Sequence, residues 1–254
     1  MKLYKLFRKL IIKSIFGKSL TKIENKKFKG NFEKFKTLSS YYPLRFEINW
    51  KDIFPILSDA TQNHDFDRHY VYHTGWAARK LKEISPNNHV DISSSLYFNA
   101  ITSAFIPISF YDFRTTNLSL NQLECNQADI TKLPFTSNSI QSISCMHVIE
   151  HIGLGRYGDD LNPNGDLEAF NELIRVVKPG GSILLVVPIG KSKIIFNAHR
   201  IYSFNQIMEY FINLNLIEFS LVTDRVGEGF LINATEMDAN KQEFGCGCFW
   251  FKKP

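Results

Sequence analysis

Cysteine is scarce: Cys125, Cys145, Cys246 and Cys248 are the only four in 254 residues. Their scatter gives neither a disulfide framework nor a four-thiolate zinc site, so a reducing, cytoplasmic setting is expected. Long apolar runs are missing too. None reaches the roughly 18 residues that a spanning helix needs, and lysines interrupt the first residues where a signal peptide would carry an unbroken apolar core. Excess positive charge is confined to one end. Residues 1–36 hold twelve Lys and Arg against two Asp and Glu, whereas the remainder holds 18 against 23. The net charge of +5 therefore conceals an acidic body, and a nucleic-acid partner, which would need a basic cleft, is not expected.

What is present suits one α/β domain with additions, since 44% of the residues are hydrophobic. The stretch from Asn126 to Pro188 reads as a parallel crossover unit. Ile183 to Val187 is an unbroken aliphatic run between Gly181 and Pro188, as in a central strand covered on both faces. A second short apolar run, Ile140 to Val148, precedes it. Between them Leu167, Phe170, Leu173, Ile174 and Val177 recur at helical spacing, and Lys178-Pro179-Gly180-Gly181 stops that helix.

Before this unit, Met1 to Ile23 sets Leu3, Leu6, Phe7, Leu10, Ile11 and Ile15 on one side of a basic amphipathic helix. Such a helix fits an anionic membrane surface, or docking on its own domain or on a second subunit, and both readings stay open. A second helix runs from Asp67 to before Pro86, with Tyr70, His73 and Trp76 as lid or core residues. His69 and His73 have the spacing of a metal pair, but nothing nearby in sequence supplies a third ligand, so no metal site is expected. Residues 1–36 are thus read as a basic extension, 37–88 as a connection and cover helix, and 89–254 as the main domain. Within the main domain Gly227 to Phe244 reads as an irregular insertion.

His147, Glu150 and His151 follow the strand that begins at Ile140, at its carboxyl edge, where open parallel sheets bind ligands. Three roles compete for them. One imidazole is a general base, with His147 and His151 the catalytic candidates; or the trio, with His199, holds a divalent ion; or Glu150 and His151 brace the loop. Next comes the glycine-hinged string Gly153 to Asp160. Arg156, Tyr157 and Asp159 in it, with His199 and Arg200 after the next strand, are candidate substrate ligands, Arg156 being suited to a phosphate or carboxylate. Cys246-Gly247-Cys248 reads as a strand start, or as a redox or metal pair.

The order Asp129-Ile130, Leu133-Pro134-Phe135, His147 to His151, and Glu172 to Gly181 resembles the second half of S-adenosylmethionine-dependent methyltransferases with a Rossmann-like fold. More narrowly, His151 to Asp159, Phe196 to Arg200 and Phe244 to Cys248 resemble the DUF268 family, a methyltransferase-like group without a settled activity. The resemblance covers roughly residues 65 to 254. It implies a doubly wound, seven-stranded, mostly parallel sheet with an antiparallel last strand, behind an N-terminal helical extension. It also implies S-adenosylmethionine as cofactor, held by Asp91, Ser93 and Ser95 in the first loop, Asp112 at the ribose, and Asp129 and Ile130 at the adenine. In such folds glycines usually occupy the first loop, because the backbone turns tightly there; this chain has Ser93-Ser94-Ser95. The implied reaction is methylation, at oxygen, of a small molecule or of a sugar or phosphosugar of surface polysaccharide. The alternative is a cofactor-free relative that serves as an assembly partner in glycan synthesis, tethered through residues 1–23.

Overall fold

The computed structural model describes residues 22–43, 45–114 and 116–254. The expected amphipathic helix and membrane contact over Met1–Ile23 fall outside these residues, apart from Lys22 and Ile23. The described residues fall into two compact units, one ending at Asp65 and one spanning Phe66–Pro254. In the first, helix α1 (Lys22–Ser39) meets a single helical turn at Trp50–Asp52. The Trp50 ring packs edge-on against Phe32 with centroids 4.9 Å apart, and Asn49 caps the turn by accepting from the Lys51 N–H.

The second unit opens with α2 (Arg68–Ile84), which Asp67 caps by accepting from the Tyr70 N–H. It ends before Pro86, as expected, with Ser85 in the left-handed region as its C-terminal cap. Then come β1 (His89–Ile92), α3 (Leu96–Thr102), β2 (Ile108–Asp112), β3 (Leu123–Gln127) and β4 (Ile140–Met146). After α4 (Gly165–Val176) the chain passes into β5 (Val177–Ile189), a small hairpin of β6 (Lys193–Ile195) and β7 (His199–Ile201), and α5 (Phe204–Tyr210). It closes with β8 (Asn215–Val222), β9 (Phe230–Leu231), α6 (Glu236–Asn240) and β10 (Gly245–Lys252).

The main sheet has the order β3-β2-β1-β4-β5-β10-β8-β9. Strands β1 to β5 pair in parallel, and β10 enters antiparallel between β5 and β8. This is the expected α/β sheet with eight strands in place of seven. The added one is β9, which pairs with β8 over only two residues, too short a run for alternation to reveal. With α6, whose Thr235 and Asp238 cap each other's backbone, it gives structure to a segment expected to be irregular. The Pro-Gly-Gly segment does end α4, but it lies inside β5, where Gly180 at φ +73° accompanies a register shift opposite β4.

Both faces of the sheet are covered, as the unbroken aliphatic run in β5 requires. Phe170 and Leu173 of α4 pack with Val90, Ile143, Leu185 and Phe249 on one face. Trp76 and Leu81 of α2 pack with Phe98, Phe110, Leu184 and Cys248 on the other. Each large side chain buried this way contributes about 1.5–3 kcal/mol. The two layers leave the carboxyl ends of β1, β2 and β4 as the edge where polar side chains gather.

Candidate active site

The first loop shows how a chain without glycine makes this turn. Ser93 sits at φ +55°, the backbone region glycine usually occupies, with its N–H donating to the Tyr111 carbonyl at 2.7 Å and its Oγ–H to the same oxygen at 3.3 Å. Asp91 holds the loop from behind. Its carboxylate has no accessible surface and accepts from the Ser94 N–H at 3.1 Å, from Asn99 Nδ2 at 2.8 Å and from the Ser144 hydroxyl. Burial pushes its pKa above the ordinary carboxylate value against the pull of these bonds. Asp91, expected to touch a cofactor, instead shapes the loop that would. Ser95 is the residue before α3 and lies outside the lining of the cavities at this edge.

A cavity of about 520 Å³ opens at this edge. Ser93, Asp112, Asp129 and Ile130 line one side, and His151, Tyr157, Asp159 and Glu168 the other. Asp112 ends β2. One oxygen accepts from the Arg114 N–H at 2.8 Å, and the other has no hydrogen-bond partner among the described residues. Asp129 caps a helical turn by accepting from the N–H and the hydroxyl of Thr131, both at 2.8 Å, beside buried Ile130. Across the cavity, Asp159 folds the glycine loop by accepting from the backbone N–H groups of Gly153, Gly155 and Tyr157. Although burial opposes it, those bonds pull its carboxyl below the ordinary range. The Tyr157 ring lies under the guanidinium groups of Arg114 and Arg156, at 4.9 and 5.1 Å.

A second cavity, of about 380 Å³, is lined by His69, Tyr70, His147, Glu150, His151, Arg156, His199 and Phe244 among others. His151 belongs to both cavities. Its Nδ1 lies 2.6 Å from the Ala198 carbonyl, so the proton sits there and Nε2 keeps a lone pair. Burial lowers its pKa despite Glu150 nearby, so the ring is neutral at neutral pH. Arg156 also donates to the Ala198 carbonyl, at 2.9 Å. Arg200, expected beside it, is turned into the protein instead, where it lies 3.4 Å from Asp166 and donates to the Ile152 and Pro163 carbonyls. Its role here is to fasten β7 to the glycine loop.

His147 follows β4 directly, in the left-handed region, with Nδ1 2.9 Å from Oε1 of the buried Glu150. Burial pulls its pKa down, but anionic neighbours outweigh that and raise it. Cys246 is itself pushed well up by burial and is a neutral thiol at neutral pH, so Glu150 is the anion that holds the proton. Burial lowers His69 to about 4 and His73 to about 3, leaving both neutral. The sequence offered no third donor beside these two. The fold leaves His73 out and instead gathers His69 with two residues distant in the chain: the ligand atoms of His69, His147 and Cys246 lie within 4.8 Å of one another. Positions so far apart in the chain carried no spacing signal that could have united them. Arg114, in the first cavity, was missed because it lies only two residues past a strand end.

The model of a protein family described as Caenorhabditis protein of unknown function, DUF268, matches residues 113–242, just over half of the chain. The chain belongs to the DUF268 family. This DUF268 protein also shares its fold with solved methyltransferases. The N-methyltransferase NodS from Bradyrhizobium japonicum WM9, solved with S-adenosyl-l-homocysteine, is 13% identical, with 73% of this chain and 87% of that one covered at a TM-score of 0.50. The methyltransferase solved with the Haloferax volcanii Trm112 methyltransferase activator is 16% identical, covering 74% and 90%, also at 0.50. No curated protein matches. At these identities the likeness is one of fold. Among the described residues of this DUF268 chain, no helix is long and apolar enough to cross a membrane.

Proposed function

We propose that this DUF268 protein is an S-adenosylmethionine-dependent methyltransferase acting on an oxygen of a small molecule, or of a sugar or phosphosugar of surface polysaccharide. The observation that carries the reading is Asp112. Its carboxylate stands at the carboxyl end of β2 with one oxygen free of hydrogen-bond partners among the described residues, in one cavity with Asp129 and Ile130 from the next strand end. A carboxylate there can accept from both hydroxyls of a ribose. The residues present suit the cofactor: Ser93 adopts the glycine-like turn, and about 520 Å³ is in the range of cavities that enclose a small ligand. When bound, S-adenosylmethionine supplies an activated methyl group and a neutral leaving thioether.

The chain's own work is then placement and proton removal. Asp112 and Asp129 accept hydrogen bonds, Ile130 gives an apolar wall, and Ser93 lets the backbone approach closely. His151, neutral and anchored at Nδ1, keeps Nε2 as a base for an acceptor hydroxyl. The acceptor reaches it from the second cavity, where Arg156 offers a guanidinium to a phosphate or carboxylate. Calorimetric titration with S-adenosylmethionine and its demethylated product tests the reading: saturable heat is expected, and none at millimolar ligand in a folded sample refutes it. Ser93 in a glycine's place favours the second reading, a cofactor-free assembly partner in glycan synthesis tethered through residues 1–23. Liposome sedimentation with and without those residues tests the tether, which fails if their removal changes nothing.

A further inference from the structure

Two residues that line the second cavity, His69 and His147, meet a buried cysteine behind it. His69 lies in the first turn of α2, His147 at the end of β4 and Cys246 near the start of β10, and their three donor atoms fall within 4.8 Å of one another. The His147 side chain is only 8% exposed, and its Nε2 is buried without a hydrogen bond of good geometry among the described residues. Its other nitrogen faces Glu150 at 2.9 Å, so the carboxylate holds the proton on Nδ1 and leaves Nε2 as the nitrogen available to the cluster once its own proton is displaced. His73 repeats the pattern. Its Nδ1 lies 2.7 Å from the His69 carbonyl, its buried Nε2 has no hydrogen-bond partner among the described residues, and its ring centroid is 5.1 Å from that of His147. A polar atom buried without a partner destabilises the fold, and two in one place need a reason.

We infer that His69, His147 and Cys246 form a binding site for a divalent ion of zinc-like softness, with its fourth coordination position open to the second cavity. Two imidazoles and a thiolate suit zinc or cobalt, and disfavour magnesium and calcium, which take oxygen. Ligands of a tetrahedral zinc stand roughly 3.3–3.8 Å apart, so donors within 4.8 Å close on an ion by moving about 1 Å or less. Glu150 supplies the outer carboxylate that metal-bound histidines commonly have. His69 and His147 both line the cavity, so the ion sits at its floor and a ligand entering there reaches the open position. On binding, the Cys246 thiol and the His147 ring each give one proton to solvent as the sulfur and the ring nitrogen bond the ion; His69 is already neutral and releases none. This rests on the methyltransferase reading only in one respect: there, the open position would take the acceptor oxygen beside His151.

The test is titration of the reduced, chelator-treated full-length protein with cobalt(II), followed by zinc(II), in the absence of any cofactor. One cobalt per chain is expected, with a sulfur-to-cobalt charge-transfer band in the near ultraviolet and the strong visible bands of a four-coordinate ion, all removed by zinc. Cys246→Ser should abolish the charge-transfer band, whereas Cys125→Ser should leave it intact. Cys246 is fully buried and its replacement can disturb folding, so His69→Gln, at the cavity surface, carries the same prediction: binding weaker by about tenfold or more, with an unchanged circular dichroism spectrum. A folded wild-type chain with no such band, a band that survives Cys246→Ser, or full affinity in His69→Gln would each overturn the site. Calorimetry with S-adenosylmethionine is a separate measurement, so the two readings fail separately.

Discussion

His89 makes a sharp test of the buried polar network behind the first loop. The side chain has no accessible surface, with Nδ1 2.8 Å from Ser142 Oγ and Nε2 2.8 Å from Ser144 Oγ. Because the Ser144 hydroxyl donates to Asp91, its oxygen accepts from His89 Nε2–H, and Nδ1 accepts from Ser142. A second ring proton has nowhere to go, and burial lowers the pKa to about 3. In the unfolded chain the same imidazole titrates near 6.5. Between those values the unfolded state binds more protons, so stability is fully present above about pH 6.5 and falls as the pH drops towards 3. From pH 7 to pH 5 the loss from this one group is about 2 kcal/mol. Urea denaturation of the wild type and of His89→Gln at several pH values isolates it. His69 and His73, also lowered, and Asp91, which is raised and acts in the opposite sense, are present in both chains and largely cancel. The variant is expected to be less stable at pH 7 but flatter towards pH 5 by about 2 kcal/mol. Parallel curves for the two chains would refute the assignment of a buried, neutral His89.

Three further outcomes follow from the geometry. Asp112→Ala, which removes a partly exposed carboxylate, should weaken S-adenosylmethionine binding about 10- to 100-fold by calorimetry while leaving the melting temperature nearly unchanged. Gly153→Ala would place a methyl 2.0 Å from the Asn162 carbonyl oxygen at φ +77°, and a loss of about 2–4 kcal/mol in urea is expected. Arg200→Leu removes the cation beside the buried Asp166 carboxylate, which keeps the Tyr202 hydroxyl as donor, and should cost about 3–5 kcal/mol, whereas the double variant Arg200→Leu with Asp166→Leu should recover part of it by the same assay.

The architecture was legible because its signals are local and repeat. Five aliphatic residues in β5 announce a buried parallel strand, the helical spacing of Leu167 to Val177 places α4, and Asp67 marks the start of α2. Short elements escaped: two residues of β9 and five of α6 hold too little pattern to register. At the site, the placement of Asp112 and Asp129 along one cavity was readable because strand ends fix where such residues stand. Asp91 and Arg200 were not, since whether a charged side chain faces a cavity or the interior depends on partners distant in sequence: Ser144 for the one, Asp166 for the other. The same limit hid the meeting of His69, His147 and Cys246, which only the closed fold brings about.

Strand β10 lies between β5 and β8, both of which precede it in the chain. During folding the sheet thus has a gap at its middle, filled by a segment whose pairing with β5 spans more than fifty residues and is slow to form for that reason. Cys246 rides on that strand. The thiol therefore joins the two imidazoles at the moment the sheet zips shut, and an intermediate with every helix in place but β10 undocked would hold His69 and His147 without it.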